Sequence, residues 1–378
     1  MSEAFNIRSG VKQGCVLAPA LFGIFFSVLL KNAFRTTNAG IFLRSRTDGK
    51  LFNLARLRSK TKVSQVLLRD FLFADDAALV AHSVNDLQNL LNGFSNACDD
   101  LTISLQKNKI MTQDTEVSSS LFIKDYALET INSFIYLGST VTSTISLDTE
   151  IGKRIGHAAT HMSKLSQRVW ETQKLTTPTK IAVYRACIMS TLLYGSESRT
   201  TYAAQEKRLN VFHLRCLRRI LSISWQDRFT ISAVLERAGI PSVYTLLRQR
   251  RLQWIGHVHP MDEGRVPKQL LYGELVQGKR PVGRPKLLFK DVAKRTCRPL
   301  VFQWIRGRLS PVTGVRGKQI APKPYEREKS FCTSQWIPGE NVRRPGPLLH
   351  PLVPLMSVVL VIASADQESD SKAISENV

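Results

Sequence analysis

A chain of 378 residues has room for two or three domains, and 43% hydrophobic against 22% charged residues excludes a wholly disordered polymer. The 53 Lys and Arg outweigh 30 Asp and Glu, for a net charge of +23. That excess calls for a polyanionic partner, nucleic acid or an anionic membrane surface.

The N-terminal residues Met1 to Asn6 lack the basic and apolar regions of a signal peptide. The loop Gly10-Val11-Lys12-Gln13-Gly14-Cys15 leads into the apolar stretch Pro19 to Leu30. Pro19 suits a first helical turn, the run is long enough to prefer helix, and its all-round apolarity predicts burial. Residues 37–65 are polar and basic, and read as a loop or a short irregular hairpin.

Phe71-Leu72-Phe73-Ala74-Asp75-Asp76-Ala77-Ala78-Leu79-Val80 then places two adjacent carboxylates in the middle of an apolar run. Burying them unpaired costs on the order of several kcal/mol, so a hairpin over about 66–81 with the Asp pair at its tip is expected. Two Asp residues at such a tip offer a site for a hard divalent cation, Mg2+ with Mn2+ as the alternative. Turn chemistry alone explains the same residues equally well, because Asp favours turns.

Ser83 or Asn85 begins a helix with Leu87, Leu90, Leu91, Phe94 and Cys98 on one face, and Asp86 complements its dipole. Short strands follow at Thr102 to Leu105 and Ile110 to Thr112, on either side of the break Lys107-Asn108-Lys109. A further strand, Phe134 to Gly138, ends in a turn. This order of strands and helix predicts a helix-backed antiparallel sheet of α+β type.

From Leu147 to about Gln253 the pattern turns helical, with candidate helices at 148–172, 178–194 and 204–222. The last carries Arg208, Arg215, Arg218 and Arg219 beside Leu209, Phe212, Leu214, Leu217 and Ile220. Such a basic amphipathic helix lies on phosphates, on acidic lipid, or simply faces water. Gly278 to Lys286, with Lys279, Arg280, Arg284 and Lys286, is too rich in Pro, Gly and charge to form a core. It reads either as a flexible basic linker or as a segment lying in the minor groove of A·T-rich DNA with Arg284 inserted. Beyond Arg298 no periodicity is sustained, and residues 298–378 are expected to be largely disordered.

Leu348 to Ala365 is apolar, but Pro351 and Pro354 interrupt it and the clean run from Leu355 is too short to span a bilayer. The six cysteines, Cys15, Cys98, Cys187, Cys216, Cys297 and Cys332, are scattered without metal-site spacing, and His257 and His259 have no further ligand nearby. An intracellular, reducing setting follows, with no disulfide partner and no membrane.

Taken in order, these segments resemble the palm of reverse transcriptases of non-LTR (LINE-type) retrotransposons. Gly10 to Phe22 is similar to that family's motif B, Phe73-Ala74-Asp75-Asp76 to motif C, Leu101 to Met111 to motif D, and Phe134 to Gly138 to motif E. Tyr194-Gly195-Ser196-Glu197, Arg251 to Val258 and Gly278 to Lys286 resemble the region after the polymerase. The resemblance implies an RNA-directed DNA polymerase with an RNA template and a DNA primer as partners. Asp75 and Asp76 would hold Mg2+ at the primer end, where the metal activates the 3′-hydroxyl and neutralises charge on the phosphorus. Gln13 and Gly14 would lie under the nucleotide and template base, and Lys107 or Lys109 would protonate the leaving pyrophosphate. Leu137 and Gly138 would form the primer grip. Arg208, Arg215, Arg218, Arg219, Lys279, Arg280, Arg284 and Lys286 would meet the nucleic-acid backbone.

The expected domain order is a partial palm over 1–145, a thumb-like helical region over 146–256, a basic Gly-Arg-Pro segment over 257–297 and a disordered basic tail over 298–378. The family's third carboxylate lies on a strand before motif B, and here only Glu3 is acidic ahead of Gly10. The expectation is therefore a C-terminal fragment that does not polymerise alone. A non-catalytic basic remnant that binds nucleic acid is the alternative.

Overall fold

The computed structural model describes residues 15–35, 37–46, 48, 54–59, 61–73, 76–98, 108–112, 120–277, 283, 286–297 and 359–364. In chain order these form α1 (Ala18–Ala33), β1 (Ile41–Ser45), a 3-10 turn (Leu54–Arg58), β2 (Ser64–Leu68), β3 (Asp70–Phe73), β4 (Asp76–Ala81), α2 (Val84–Ala97) and β5 (Lys109–Thr112). Short strands follow, β6 (Phe122–Ile123), β7 (Tyr126–Ala127), β8 (Glu129–Thr130), β9 (Ser133–Tyr136) and β10 (Ser139–Thr142). Then come α3 (Asp148–Lys164), α4 (Thr177–Val183), α5 (Ser190–Leu192), α6 (Ala203–Ile220), α7 (Ile231–Ala238), α8 (Val243–Val258), α9 (Val266–Tyr272), β11 (Glu274–Leu275) and β12 (Val359–Ser364). The chain divides into two compact units: residues 1–42, 67–132 and 357–378 in one, 43–66 and 133–356 in the other.

In the first unit α2 forms where its apolar face dictates. The Ser83 hydroxyl accepts from the Asp86 N–H at 3.1 Å, a side-chain cap for the first turn. Leu87, Leu90, Leu91 and Phe94 are buried on one stripe. Gly93 lets α1 close on this helix, because a Cβ there would stand 2.4 Å from the Ala33 carbonyl oxygen. α1 begins with Pro19 in its first turn. Its expected burial is not found: Leu29 and Ala33 are buried, but Leu21, Ile24, Phe25 and Val28 are exposed. Among the described residues α1 packs chiefly on α2, which covers one of its faces.

The strands β3, β4, β12, β5 and β8 form a sheet in that order. β3 and β4 are antiparallel, with Phe73 opposite Asp76. β12 runs antiparallel to both β4 and β5, and β8 adds in parallel to β5. Residues 359–364 thus depart from the disorder expected of the tail. Val-Leu-Val-Ile-Ala is a β-branched, uncharged run, and such runs suit a central strand even where no periodicity surrounds them. The strand expected at Thr102 to Leu105 lies outside the described residues.

In the second unit α3 to α8 enclose a core that includes Ile151, Tyr184, Ile188, Leu192, Leu217, Val234, Val243 and Leu247. The helix expected at 148–172 ends at Lys164 and continues as a π-helical turn, Ser166–Trp170, where the Trp170 indole donates to the Met162 carbonyl at 2.7 Å. Residues 257–297 are more than a basic segment. α9 and the helical stretch 289–297 pack on α8 through Leu271, Tyr272, Phe289 and Ala293 around Trp254 and Val258. The Gly, Pro and Arg of 278–286 mask this apolar content when the region is averaged. Among the described residues no helix is long and apolar enough to cross a membrane.

Candidate functional site

β3 and β4 pair as an antiparallel hairpin around the Asp-Asp segment, but Asp76 lies in β4, paired with Phe73, and does not stand at the tip as expected. Because Phe73 pairs with Asp76, the connection is the two-residue pair Ala74-Asp75, which lies outside the described residues. Asp76 opens β4 and is half-buried, while Ala77 to Ala81 behind it are fully buried. At the far end of β3, Asp70 sits largely out of water, which raises its carboxyl above the usual range against the pull of Arg69, 3.5 Å away. Arg69 is itself held by the Phe34 ring and by the carbonyls of Phe34 and Thr37. The carboxylates of Asp75 and Asp76 are hard oxygen donors, the class that Mg2+ and Mn2+ accept. Among the described residues no three His, Cys, Asp or Glu side chains gather as a metal-binding group.

The other residues that the resemblance implicates fall in different places. Gln13, Gly14 and Lys107 lie outside the described residues, as do Lys279, Arg280 and Arg284. Lys109 stands on β5 opposite Glu129 of β8, and the two side chains form an ion pair across the parallel ladder. Lys286 is exposed and donates to the Thr144 carbonyl at 3.2 Å.

Leu137 and Gly138 are the two turn residues between β9 and β10, where Tyr136 pairs with Ser139. Both have positive φ, 47° and 73°, the backbone of a type I′ turn that matches the twist of a hairpin. Glycine takes this conformation freely; leucine does not. Two side chains outside the hairpin hold the turn. The Tyr194 hydroxyl donates to the Leu137 carbonyl at 3.0 Å, and Arg154 donates to the Gly138 carbonyl. The Arg154 guanidinium also lies over the Tyr194 ring, 4.6 Å from its centroid.

Behind Arg154 stands Glu150. It accepts from Arg154 Nε and from the Thr140 N–H, both at 2.7 Å, and pairs with Arg199. Burial works to raise this carboxyl, but Arg199, Arg154 and the Thr140 N–H outweigh it and hold it low. Burial likewise brings the Arg199 guanidinium down to about 10. A second cluster joins Arg251, 3% exposed, to Glu206 at 2.8 Å and to the Thr201 hydroxyl. Sequence reasoning missed both clusters. Glu150 and Arg154 at i, i+4 spacing were a legible signal, although that pattern more often marks a solvated helix face.

On α6, Arg208, Arg215 and Arg219 lie along one outward stripe at i, i+7 and i+11. Arg208 pairs with Asp148 at 3.3 Å and Arg219 with Glu171 at 2.9 Å, both as exposed ion pairs. Arg215 is exposed and Arg218 half-buried. Exposed pairs of this kind are worth about 0–1 kcal/mol and open easily for a phosphate.

The comparisons with known proteins are narrow. An uncharacterized transposon-derived protein of Caenorhabditis elegans is 25% identical over 240 residues, covering 60% of this chain and 85% of that protein. No protein-family model matches the chain, and no solved structure matches it. The likeness supports a connection to transposons and carries no activity with it.

Proposed function

We propose that this chain derives from the reverse transcriptase of a non-LTR retrotransposon, binds nucleic acid through its basic charge and does not itself extend a primer. The transposon connection rests on the relative. The finer reading rests on the order of the sequence motifs around one structural observation, the antiparallel β3–β4 pair whose second strand opens with Asp76. In the parent enzyme Asp75 and Asp76 would hold Mg2+ or Mn2+, and the ion would supply charge neutralisation at the phosphoryl oxygens.

For this chain alone, binding is the activity assigned. The +23 net charge provides the attraction, and the α6 stripe offers guanidinium groups for phosphates. Two measurements test the reading on the full chain. Filter binding of an RNA–DNA hybrid is expected to weaken steeply as salt rises; salt-indifferent binding would refute a backbone-driven contact. Primer extension on an RNA template with Mg2+ or Mn2+ is expected to give no product. Incorporation that disappears in Asp75→Ala would show the chain to be a working polymerase.

A further inference from the structure

β12 occupies an unusual position. It is the middle strand of five, antiparallel to both neighbours, yet joined to neither by a hairpin. Val361 stands opposite Leu79 on one side and Ile110 on the other, and Ser364 ends the ladder opposite Asp76. β4 precedes it by hundreds of residues, and roughly 60 residues separate it from Cys297, the nearest described residue before it. Removing it from the sheet leaves β3–β4 and β5–β8 as two short ladders with open edges facing a channel one strand wide. Open edges of that kind take an extended chain by main-chain hydrogen bonding. The channel is apolar on β4, where Ala77 to Ala81 are all buried, and on β5, where Ile110 and Met111 are buried. α2 lies over β4 and β12 on one side.

We propose that the channel between β4 and β5 is a strand-binding site for an extended, uncharged, β-branched peptide, and that residues 359–364 of the same chain are its ligand, held as a separable strand. Covalent connection raises the strand's effective concentration but adds no contact in the channel, so the same sequence binds when supplied as a free peptide. Main-chain pairing fixes the direction, and the register seats a small residue, Ser364, opposite Asp76 at the hairpin end. The inference is independent of catalysis: it concerns how the sheet carrying the Asp hairpin is completed.

The experiment starts from the full chain with a specific protease site inserted at Gly346. After cleavage, the C-terminal fragment is expected to co-elute with the body under native conditions. A labelled synthetic peptide spanning Leu355 to Asp366 is expected to displace it saturably. The same peptide with Val361→Pro should bind about tenfold more weakly or worse, because proline removes an N–H and is excluded from central strands. Prompt separation of the fragment with the thermal transition unchanged, or equal displacement by both peptides, overturns the proposal. A second measurement needs no cleavage. Leu79→Cys with Val361→Cys in the intact chain should form a mass-mapped intrachain disulfide on oxidation, whereas Leu79→Cys with Val359→Cys, two residues out of register, should not. Failure of the in-register pair to link also overturns it.

Discussion

Glu150 and Arg199 form a buried ion pair, with side chains 1% and 2% exposed, that anchors the Leu137–Gly138 turn through Arg154. The pair joins α3 to the segment between α5 and α6, two stretches about fifty residues apart.

Arg199→Met should therefore destabilise the second unit by about 2–3 kcal/mol, because it removes one of the two guanidinium partners of the buried Glu150 carboxylate and leaves it to Arg154 and the Thr140 N–H. The double variant Glu150→Leu with Arg199→Met should recover only part of that loss, because it leaves the Thr140 N–H and Arg154 without their acceptor. Urea denaturation of both variants reads the difference. Glu150 also sets an acid limit. Its folded carboxyl is held low, so its contribution is present above the unfolded carboxylate range and is lost as pH falls through the folded value.

His213 sets a second limit at higher pH. It is buried against the Tyr184 hydroxyl, 2.8 Å from Nδ1, and burial brings the imidazole down to about 4. The unfolded chain therefore binds a proton that the folded chain resists. Stability is complete above the unfolded value near 6.5 and declines between there and about 4, by up to about 3 kcal/mol. His213→Gln should flatten this part of a stability-versus-pH curve followed by thermal melting.

The turn itself can be probed at two positions. Gly138→Ala forces a β-carbon onto a backbone with φ of 73° and should cost about 1 kcal/mol. Tyr194→Phe removes the hydroxyl that donates to the Leu137 carbonyl and should cost about 1 kcal/mol. If the turn contacts a nucleic-acid backbone, both variants should lose hybrid affinity beyond their loss of stability, measured at a temperature where each remains folded.

Charge removal separates surface from interior. Arg215→Ala should weaken hybrid binding and reduce the salt slope by about one unit, since one exposed guanidinium is removed. Arg251→Ala should leave the slope of the folded protein unchanged and lower its melting temperature, because Arg251 is buried on Glu206.

On α1, Phe25→Ser and Ile24→Ser should cost less than about 0.5 kcal/mol, while Leu29→Ala should cost about 2–5 kcal/mol. Equal costs in chemical denaturation would mean that the exposed face is covered in solution.

Local patterns carried much of the architecture. The spacing of Leu87, Leu90, Leu91 and Phe94 specified α2 and its buried face, and Pro19 placed the start of α1. The Asp pair demanded a turn, and Phe73 opposite Asp76 supplies one. What α1 would pack against was not legible, because apolarity states a need for partners without naming them. The run from Leu355 to Ala365 was legible only as too short for a membrane; its place between β4 and β5 depends on strands hundreds of residues earlier.

By itself, the sequence determined the basic charge, the amphipathic helices and the hairpin bearing Asp75 and Asp76, since each depends on residues within a turn or two of one another. Only the tertiary structure decided that Glu150, Arg154 and Tyr194 clamp a turn, that Lys109 answers to Glu129, and that the tail completes a sheet. Those relationships join groups distant along the chain, and their energies come from burial and pairing that no local pattern records.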